Sequence, residues 1–391
     1  MKISLIVSDL SSSGAGRWGG AVRPFLLSQA LRQIGYDVEI LGFCQDGSPI
    51  NFDNSPVPIV AIPSSKSYPQ FWRSAQKLLA RITGDIIYAY KLKPTSFGLA
   101  LLKKMQTGRP VFLDIDDWEL SWHGGDNWKY RPTVKQFAKD LLKADGALRQ
   151  PDHPFYLNWI EKWVSKADRV TLHTRFLRER FGGIYLPNGK DTKLFDPANY
   201  DPDASRNRYG LSGYRVLMFP GAPRPYKGVE EVLTALDLLD ESDLRLAIVG
   251  GSPYDDYDAK LNEKWGRWIV ELPNSPPQMM PEIVSAAHLV VVPQRDHPAT
   301  RAQFPLKLTD GMAMAKPVLA TRVGDIPEIL GETGYLVDPS SPRQIATQIQ
   351  WIFNHLDEAN QLGIQARARC VKHYGIDRMS EILSEVIENY R

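Results

Sequence analysis

The stretch QFPLKLTDGMAMAKPVLAT places a lysine and an aspartate at the start of an apolar helix. Pro305 suits the first helical turn because it has no N–H to leave unpaired, and Lys307 and Asp310 share one helix face. Free amides near Phe304, Leu306 and Lys307 would lie at the positive end of the helix dipole, which binds anions. The pattern predicts a lysine on a phosphate and an aspartate on the two hydroxyls of a ribose. The alternative is an exposed ion pair that contributes roughly 0.2–0.5 kcal/mol.

A second group of cations follows a predicted strand in FPGAPRPYKGVEEVLTAL. Arg224 and Lys227 stand just beyond the carboxyl end of that strand, where an open α/β sheet binds ligands. Two cations there suit a diphosphate, and each charge-assisted hydrogen bond contributes roughly 1.5–3 kcal/mol. Gly250 makes a turn at the end of the next strand, and Leu272 ends a further strand, where it could line the rim of a base pocket. The alternative is a plain Lys-Gly helix start without a ligand.

Glycines near the amino terminus follow the G-x-G-x-x-G pattern, with Gly14, Gly16 and Gly19 at the three positions. A nicotinamide site has this pattern directly at a strand end, whereas five residues intervene here and no acid ends the next strand. We therefore interpret Gly19 and Gly20 as a turn that lets a helix N-terminus approach a phosphate of the ligand. A plain flexible loop is the alternative.

Three aspartates end a predicted strand in FLDIDDWELSW. Asp114, Asp116 and Asp117 resemble the Asp-x-Asp pair that binds a divalent metal in some sugar transferases. The phosphate-binding candidates lie in the other half of the chain, so we expect no metal and favour a hydrogen-bonding or base role for Asp116 or Asp117 toward an acceptor; a structural turn is the other interpretation. Trp118 and Trp122 follow in a loop, where their rings could stack on an acceptor or form a small hydrophobic core.

Short apolar runs alternate with helical segments, which predicts an α/β protein with parallel sheets covered by helices. A polar stretch with two Asp-Pro steps, residues 195–210, is interpreted as a linker between two Rossmann-like domains that face a cleft. The predicted amino-terminal domain, 1–195, carries the acceptor-side candidates, and the second domain, 210–373, carries the phosphate-binding candidates. The last segment, 374–391, has one apolar stripe and is predicted to be a helix that crosses back onto the first domain.

Length and composition exclude several classes of protein. The 391 residues suffice for two or three domains, and 43% hydrophobic with 24% charged residues is typical of a globular protein. Lys and Arg number 47 against 45 Asp and Glu, so no global field favours nucleic acid. Cys44 and Cys370 are far apart, and the short apolar run at the amino terminus reads as a strand rather than a signal peptide or membrane span. A reducing, cytoplasmic location is expected.

The charge is nevertheless uneven, because residues 66–104 hold eight basic residues and one acid. A predicted helix in this segment places its apolar side chains on one face and most of its cations on the other; the apolar residues are Phe71, Trp72, Ala75, Leu78, Leu79 and Ile82. Two interpretations stay open: a surface helix packed on a sheet, or peripheral contact with an acidic acceptor or an anionic surface such as the inner face of a membrane.

Four motifs in their order and spacing resemble the retaining glycosyltransferases of the GT-B fold, specifically the large family 4 group. They are the amino-terminal Gly-Gly loop with LSQALRQIGYDVEIL, LPNGKDTKLFDP, PRPYKG and FPLKLTDGMAMAKPVLATRVGDIPEIL. The resemblance covers nearly the whole chain and implies two Rossmann-like domains. It also implies a nucleotide-diphosphate sugar bound chiefly by the second domain, an acceptor on the first, transfer with retained anomeric configuration, and no bound metal or other cofactor.

In the diphosphate site that the resemblance implies, Lys227 takes the place of the family's lysine. The family's arginine directly follows the glycine that ends the strand. Here that glycine is Gly221 and the next residue is Ala222. Arg224 is therefore expected to supply the missing cation.

The sugar and ribose contacts depart from the family pattern. Asp310 takes the place of the glutamate that binds ribose hydroxyls, whereas the position eight residues earlier, a donor-sugar glutamate in relatives, is Ala302. Some relatives carry Pro-x-Lys here, as Pro305 and Lys307 do, which implies that Lys307 takes over sugar or phosphate contacts. Asp116 replaces the histidine that many relatives carry after the corresponding strand of the first domain.

The resemblance and the cations together predict a cytoplasmic hexosyltransferase for carbohydrate biosynthesis, with a sugar, glycolipid or small-molecule acceptor. Arg224, Lys227 and helix-end amides near Gly20 and Leu306 would stabilise the departing diphosphate. No protein nucleophile is evident, so same-face attack is favoured, with the leaving phosphate taking the acceptor's proton. The alternatives are another enzyme of this fold, such as a nucleotide-sugar epimerase or a phosphorylase, and a non-catalytic sugar-nucleotide-binding or scaffold protein.

Overall fold

The computed structural model describes residues 1–11, 22–45, 57–65, 67–252 and 255–390. The chain forms two compact units. Unit 1 comprises Met1–Asn188 and Met379–Arg391, and unit 2 comprises Gly189–Arg378. The glycine motif, including Gly19 and Gly20, lies outside the described residues.

Unit 1 is built on a seven-stranded parallel sheet with the strand order β3-β2-β1-β4-β5-β6-β7. The order reverses between β1 and β4, and the residues that follow β4 and β5 therefore lie at one edge of the sheet. The central strands are buried along their length, as expected of near-continuous apolar runs covered on both faces. The strands are β1 Lys2–Val7, β2 Asp37–Cys44, β3 Ile59–Pro63, β4 Ile86–Tyr90, β5 Val111–Ile115, β6 Arg169–Leu172 and β7 Ile184–Tyr185.

Among the described residues, six α-helices accompany this sheet within the first segment of unit 1. They are α1 Val22–Gln33, α2 Gln70–Arg81, α3 Leu99–Thr107, α4 Val134–Leu142, α5 Pro154–Glu161 and α6 Arg175–Phe181. The α2 helix is the basic helix of residues 66–104, and its apolar face is buried apart from Trp72, which is 43% exposed. Phe71 packs on Phe43 of β2 with 5.0 Å between ring centroids. Packing on the sheet therefore occupies the face that a membrane would need, as the first interpretation predicts, whereas contact of the basic face with an acidic acceptor stays a prediction.

The last helix, α16 at Ile376–Glu388, contributes to unit 1 although it lies at the far end of the sequence. Its apolar stripe is buried, as the sequence predicts. Ser380 donates a hydrogen bond to Gln33 of α1 at 2.6 Å, and the ring of Tyr390 lies 5.4 Å from that of Phe112 in β5. The stripe thus finds its partner on the first sheet, as predicted for a helix that crosses back.

Unit 2 contains a six-stranded parallel sheet with the order β10-β9-β8-β11-β12-β13. Its strands are β8 Arg215–Phe219, β9 Leu244–Val249, β10 Ile269–Leu272, β11 Leu289–Val292, β12 Val318–Thr321 and β13 Tyr335–Val337. Its helices are α7 Pro202–Arg208, α8 Val229–Leu239, α9 Tyr257–Trp265, α10 Met280–Ser285, α11 Pro298–Arg301, α12 Leu306–Ala313, α13 Ile326–Leu330, α14 Pro342–Asn354 and α15 Leu356–Tyr374. Apolar residues of the sheet pack against helices on both of its faces, which makes two Rossmann-like units in one chain.

The expected linker 195–210 is instead an integral part of unit 2. Its Asp-Pro steps start helices rather than interrupt structure, because Asp201 caps α7 by accepting hydrogen bonds from the amides of Asp203 and Ala204. Ser205 hydrogen-bonds Ser285 of α10 at 2.7 Å, and Phe195 belongs to the core. The boundary between the units therefore falls at Asn188, before the predicted 195.

No helix among the described residues is both long and apolar enough to span a bilayer.

Candidate active site

The segment after β8 carries two of the predicted cations on a rigid turn. Gly221 follows the strand, and a short 3-10 helix, Pro225–Lys227, leads into Gly228 at the start of α8. Gly228 has a φ of 72°, and a Cβ at this position would lie 1.8 Å from the carbonyl oxygen of Pro293. Only glycine fits there, so the Lys-Gly pair fixes Lys227 at the head of α8.

Lys227 lies among positive charges. Its Nζ donates one hydrogen bond, to the carbonyl of Ala222 at 2.9 Å. Burial, followed by repulsion from Lys307 and Arg224, lowers the pKa of Lys227 well below its ordinary value. The structure therefore brings together Arg224, Lys227 and Lys307, named here the three-cation cluster, although one member is distant in sequence.

Lys307 reaches the cluster from the first turn of α12. Its side chain is buried, with Nζ 4.8 Å from the ring centroid of Phe219, the last residue of β8. A Cβ on Gly221 would lie 3.8 Å from the Lys307 side chain, so Lys307 extends over the end of the strand. Burial lowers the pKa of Lys307 to about 8, and Asp310 opposes this shift only in part. A buried lysine with so little compensation is suited to an anionic ligand.

Arg224 is also buried, and its guanidinium donates to Asp255 at 3.0 Å. Asp255 itself is about half exposed. The pair holds Arg224 beside Lys227 and leaves its charge within reach of a ligand at the strand end.

Asp310 has a partner that differs from the one its spacing suggests. Its carboxylate accepts a hydrogen bond from Lys190, not from Lys307 one helical turn away. Lys190 is held by its own backbone, which pairs with Tyr374 and Ile376, and its ammonium lies 4.2 Å from the ring centroid of Phe195.

Lys190 is thus a residue of the site to which sequence reasoning assigns no role. The only signal was its presence in LPNGKDTKLFDP, one of the motifs that carry the family resemblance. Its partner is 120 residues away, so no local spacing predicts the pair.

Two further predicted donor residues line one cavity. Gly250, with a φ of 82°, and Leu272 lie on a hollow of about 330 Å³ that Pro223, Glu271 and Pro273 also line. The cavity thus opens beside the segment that carries Arg224 and Lys227.

The start of α12 has the form that the sequence predicts, shifted by one residue. Pro305 precedes the helix as its cap, and the first intrahelical bond runs from Leu308 N–H to the Pro305 carbonyl at 2.9 Å. The amides of Leu306 and Lys307 lie ahead of that bond, at the positive end of the helix. Phe304, which directly precedes this turn, is buried, and its ring packs against that of Tyr374.

In unit 1, the predicted acceptor-side carboxylates belong to a charged network after β4 and β5. Tyr90 donates to Asp116, and Lys91 lies 3.4 Å from Asp116 and 2.9 Å from Glu119. Lys91 has a φ of 73°, a left-handed conformation that turns its side chain back toward these carboxylates.

The carboxylates of this network differ in how readily they hold a proton. Burial alone would raise the pKa of Glu119, but Lys91 and Lys93 outweigh it and bring the pKa to about 2. Burial raises the pKa of Asp117 to about 7, because the attraction of Lys91 is too weak to offset it and Glu119 and Asp116 repel. The pKa of Asp117 is therefore close to neutral, unlike that of Glu119.

One acidic and one aromatic candidate have structural roles instead. Asp114 is buried and accepts two hydrogen bonds from Arg23, at 2.5 and 2.8 Å, and one from Thr171, so it is not available to a metal. Trp118 is buried, donates to Glu161 and packs under the Arg180 guanidinium at 3.8 Å, so it does not face an acceptor.

Trp122 remains accessible. Its side chain is 42% exposed, and its indole N–H donates to Asp117 at 2.9 Å. Of the two predicted tryptophans, Trp122 is therefore the one that lies exposed beside the carboxylates.

Comparison with known proteins relates part of unit 2 to a described family. Residues 214–355 match the family described as Glycosyl transferases group 1. The match lies within unit 2 and spans less than half of the chain. The matched region contains the whole three-cation cluster, and it ends before α15.

Two curated relatives extend the match into unit 1. A GDP-mannose-dependent alpha-(1-6)-phosphatidylinositol monomannoside mannosyltransferase of Mycolicibacterium smegmatis is 30% identical over 246 residues, 56% of this chain and 62% of that protein. The D-rhamnosyltransferase WbpZ of Pseudomonas aeruginosa is 27% identical over 292 residues, 71% of this chain and 74% of that one. The aligned region thus spans less than two thirds of the first relative's length.

A solved structure extends the fold to the complete chain. Anabaena Alr3699/HepE, crystallised with UDP and glucose, superimposes with a TM-score of 0.75 over 100% of both chains at 16% identity. At this identity the likeness concerns the fold, which is that of GT-B glycosyltransferases.

Proposed function

We propose that this chain transfers a hexosyl unit from a nucleoside-diphosphate sugar to an acceptor hydroxyl, with retention of anomeric configuration and without a metal ion. The observation that carries the proposal is the three-cation cluster at the carboxyl end of β8, within the region that matches the group 1 glycosyltransferases. Arg224 and Lys307 repel the Lys227 ammonium until an anion joins the cluster.

The departing diphosphate is the anion that the cluster fits best. Breaking the bond between sugar and phosphate leaves a positive charge on the sugar ring and increases the negative charge on the diphosphate. Lys227 and Arg224 would bind the phosphate oxygens, and Lys307 with the α12 amides would bind the phosphate next to the sugar. Because the cations are held by buried contacts before the donor arrives, little reorganisation is needed during the reaction.

The nucleoside would lie beside this cluster in the cavity that Gly250 and Leu272 line. A Cβ on Gly250 would have Asn274 as its nearest neighbour, at 3.8 Å, so the glycine leaves room for a base beside it. Asp310 would accept from the ribose hydroxyls with the carboxylate oxygen that Lys190 leaves open, and Lys190 would hold the carboxylate in position.

On the acceptor side, Asp116, Asp117 and Trp122 are the candidates. We propose same-face attack, in which the acceptor oxygen bonds to the anomeric carbon as the phosphate leaves and the phosphate oxygen takes the hydroxyl proton. Asp117, with its pKa near neutrality, would accept a hydrogen bond from the acceptor, and Asp116 would lie beside it, 3.4 Å from Lys91. The relatives named as mannosyl- and rhamnosyltransferases support a hexosyl donor and an acceptor that is a sugar, a glycolipid or a small molecule.

A donor screen tests the proposal. Thermal unfolding is measured with UDP-, GDP- and ADP-sugars, each with and without EDTA; the matching donor at about 100 times its Kd should add about 2.7 kcal/mol of stability. The donor that stabilises the protein is then incubated with acceptor hydroxyls, and the anomeric configuration of the product is determined.

Other outcomes would replace the proposal. Conversion of the donor sugar without any acceptor would indicate an epimerase, and turnover that requires inorganic phosphate would indicate a phosphorylase. Binding without turnover across a broad acceptor panel would indicate a sugar-nucleotide-binding protein. An inverted product would overturn the retaining mechanism, and loss of activity in EDTA would overturn metal independence.

A further inference from the structure

Unit 1 carries a helix whose apolar face points away from the protein. In α4, Val134, Phe137, Leu141 and Leu142 are 90%, 47%, 49% and 76% exposed. At 3.6 residues per turn these side chains share an arc of roughly 140°, wide enough for an amphipathic helix. Helices of globular proteins usually bury such a face, whereas α4 exposes it.

Polar contacts fix this orientation. The buried residue of α4 is Asp140, whose carboxylate accepts hydrogen bonds from Tyr130 and Gln136, both at 2.7 Å. Tyr130 in turn packs edge-on against Phe155 of α5 at 5.7 Å. The polar side of α4 therefore contacts the rest of the protein, and its apolar side faces solvent.

Positive charge surrounds the exposed apolar arc. Residues 128–143 contain five basic residues and a single acid, Asp140. The basic residues are exposed, and none forms an ion pair with a carboxylate within the part of the chain that the structure describes; they are Lys129, Arg131, Lys135, Lys139 and Lys143. The acid is turned inward, so the exposed charges of residues 128–143 are all positive, and the exposed Asp145 lies just beyond them.

Exposed aromatic residues continue the surface on α5. Phe155 and Trp159 lie one turn apart and are 44% and 49% exposed. Trp163 follows, with its ring 5.2 Å from that of Trp159. Amphipathic tryptophan rings are enriched where an apolar phase meets water.

We propose that this α4 surface, Val134, Phe137, Leu141 and Leu142 with the five flanking cations, binds the interface of an anionic lipid bilayer. An apolar arc bordered by lysines is the pattern of a helix that lies in the plane of the membrane, with its cations at the level of the headgroups. Protein interfaces are depleted in lysine at their centres, which makes a protein partner the poorer fit. The α4 surface contains no residue of the three-cation cluster, so its binding to lipid does not depend on the transfer reaction.

Vesicle co-sedimentation of the full chain tests the proposal. Vesicles of phosphatidylcholine with phosphatidylglycerol should bind the protein, vesicles of phosphatidylcholine alone should bind it much less, and added salt should release it. Phe137→Ser with Leu141→Ser should lower the partition coefficient at least about tenfold. The matched control is Leu238→Ser with Ile364→Ser, because these apolar residues of unit 2 are similarly exposed, at 56% and 54%.

A charge variant and a labelled variant separate the electrostatic contribution to lipid binding from the apolar one. Lys135→Glu with Lys139→Glu should weaken binding at least about twentyfold on the anionic vesicles, whereas Lys264→Glu with Lys372→Glu in unit 2 should not. Because Cys44 and Cys370 are buried, Leu142→Cys accepts an environment-sensitive dye selectively. Its emission should shift to the blue on anionic vesicles, and that of Met105→Cys, 84% exposed on α3, should not.

Two results would overturn the proposal. One is binding to neutral and anionic vesicles that is equal or unaffected by the α4 substitutions, with unchanged thermal unfolding as proof that the variants fold. The other is self-association of the wild-type chain that Phe137→Ser with Leu141→Ser abolishes, because the occupant of the surface would then be a second copy.

Discussion

At the scale of single residues, the candidate site stores electrostatic energy. Lys227 and Lys307 lie close enough to Arg224 for burial and mutual repulsion to lower the pKa of Lys227. Folding alone gains nothing from this arrangement, since each cation is more stable in water. A site that accepts this energetic cost is suited to a dianionic ligand that removes it on binding.

Replacing Lys227 with alanine should reduce turnover by roughly 10²-fold or more, the effect of removing one preorganised charge donor. Stability should not fall, because the variant relieves repulsion at Lys307 and Arg224. Steady-state kinetics and thermal unfolding are measured together. Turnover equal to wild type would remove Lys227 from the mechanism.

Nucleotide binding should take up protons at mildly alkaline pH. Lys307, with a pKa of about 8, is largely neutral above that pH in the free protein. A bound diphosphate raises its pKa, so the complex holds more protons than the free protein, and affinity should fall as the pH rises above about 8. Calorimetry in two buffers of different ionisation enthalpy measures the uptake, which Lys307→Ala should reduce; identical enthalpies for the wild type would contradict the assignment.

The buried pair of Lys190 and Asp310 should respond differently to single and double substitution. Lys190→Met leaves the Asp310 carboxylate buried without its cation and should cost about 3–5 kcal/mol, whereas Lys190→Met with Asp310→Asn should recover much of that loss. Denaturant unfolding measures both. Asp310→Asn should also weaken nucleotide affinity in calorimetry, and wild-type affinity would count against its ribose role.

At the scale of elements, the positions of the cations depend on how α8 and α12 begin. The α8 helix starts where the chain passes close to Pro293, which follows β11, and α12 starts at a proline turn. Both helices point their amino-terminal ends at the carboxyl edge of the sheet, so that backbone amides and lysines converge.

Gly228→Ala tests the close passage at α8. An added Cβ would meet the Pro293 carbonyl at 1.8 Å and would also strain a φ of 72°. The variant should be less stable by more than about 1 kcal/mol and should lose donor affinity. Gly210→Ala is the matched control, since its φ is 68° but its Cβ would meet open space; equal effects of the two would show that contact with Pro293 is unimportant.

At the scale of the whole molecule, unit 1 is assembled from two distant parts of the chain. Residues 1–188 form the sheet, and α16 returns from residue 379 onward to cover part of it. The core of unit 1 is therefore complete only after the last residues are in place.

Leu383→Ala, in the buried stripe of α16, should lower the free energy of unfolding by about 2–5 kcal/mol. Glu385→Ala on the exposed side of the same helix should change it by less than about 0.5 kcal/mol. Chemical denaturation followed by fluorescence makes the comparison. Equal stability of the two variants would mean that α16 does not contribute to the core.

By itself, the sequence determined the alternation of strands and helices and most of their positions, because short apolar runs and glycine or proline breaks act locally. It also placed Arg224, Lys227 and Lys307 at strand and helix ends, where parallel-sheet topology gathers ligands. The final helix was predictable for the same reason, since an apolar stripe must be covered.

Only the tertiary structure decided which distant groups meet and which faces remain open. Lys190 reaches Asp310 across 120 residues, and Trp118 is buried although its neighbour Trp122 is not. The α4 helix has the same apolar periodicity as a core helix, yet Asp140 and Tyr130 hold it by its polar side. Periodicity indicates that a helix has an apolar face, whereas the positions of the other elements decide whether that face contacts protein or solvent.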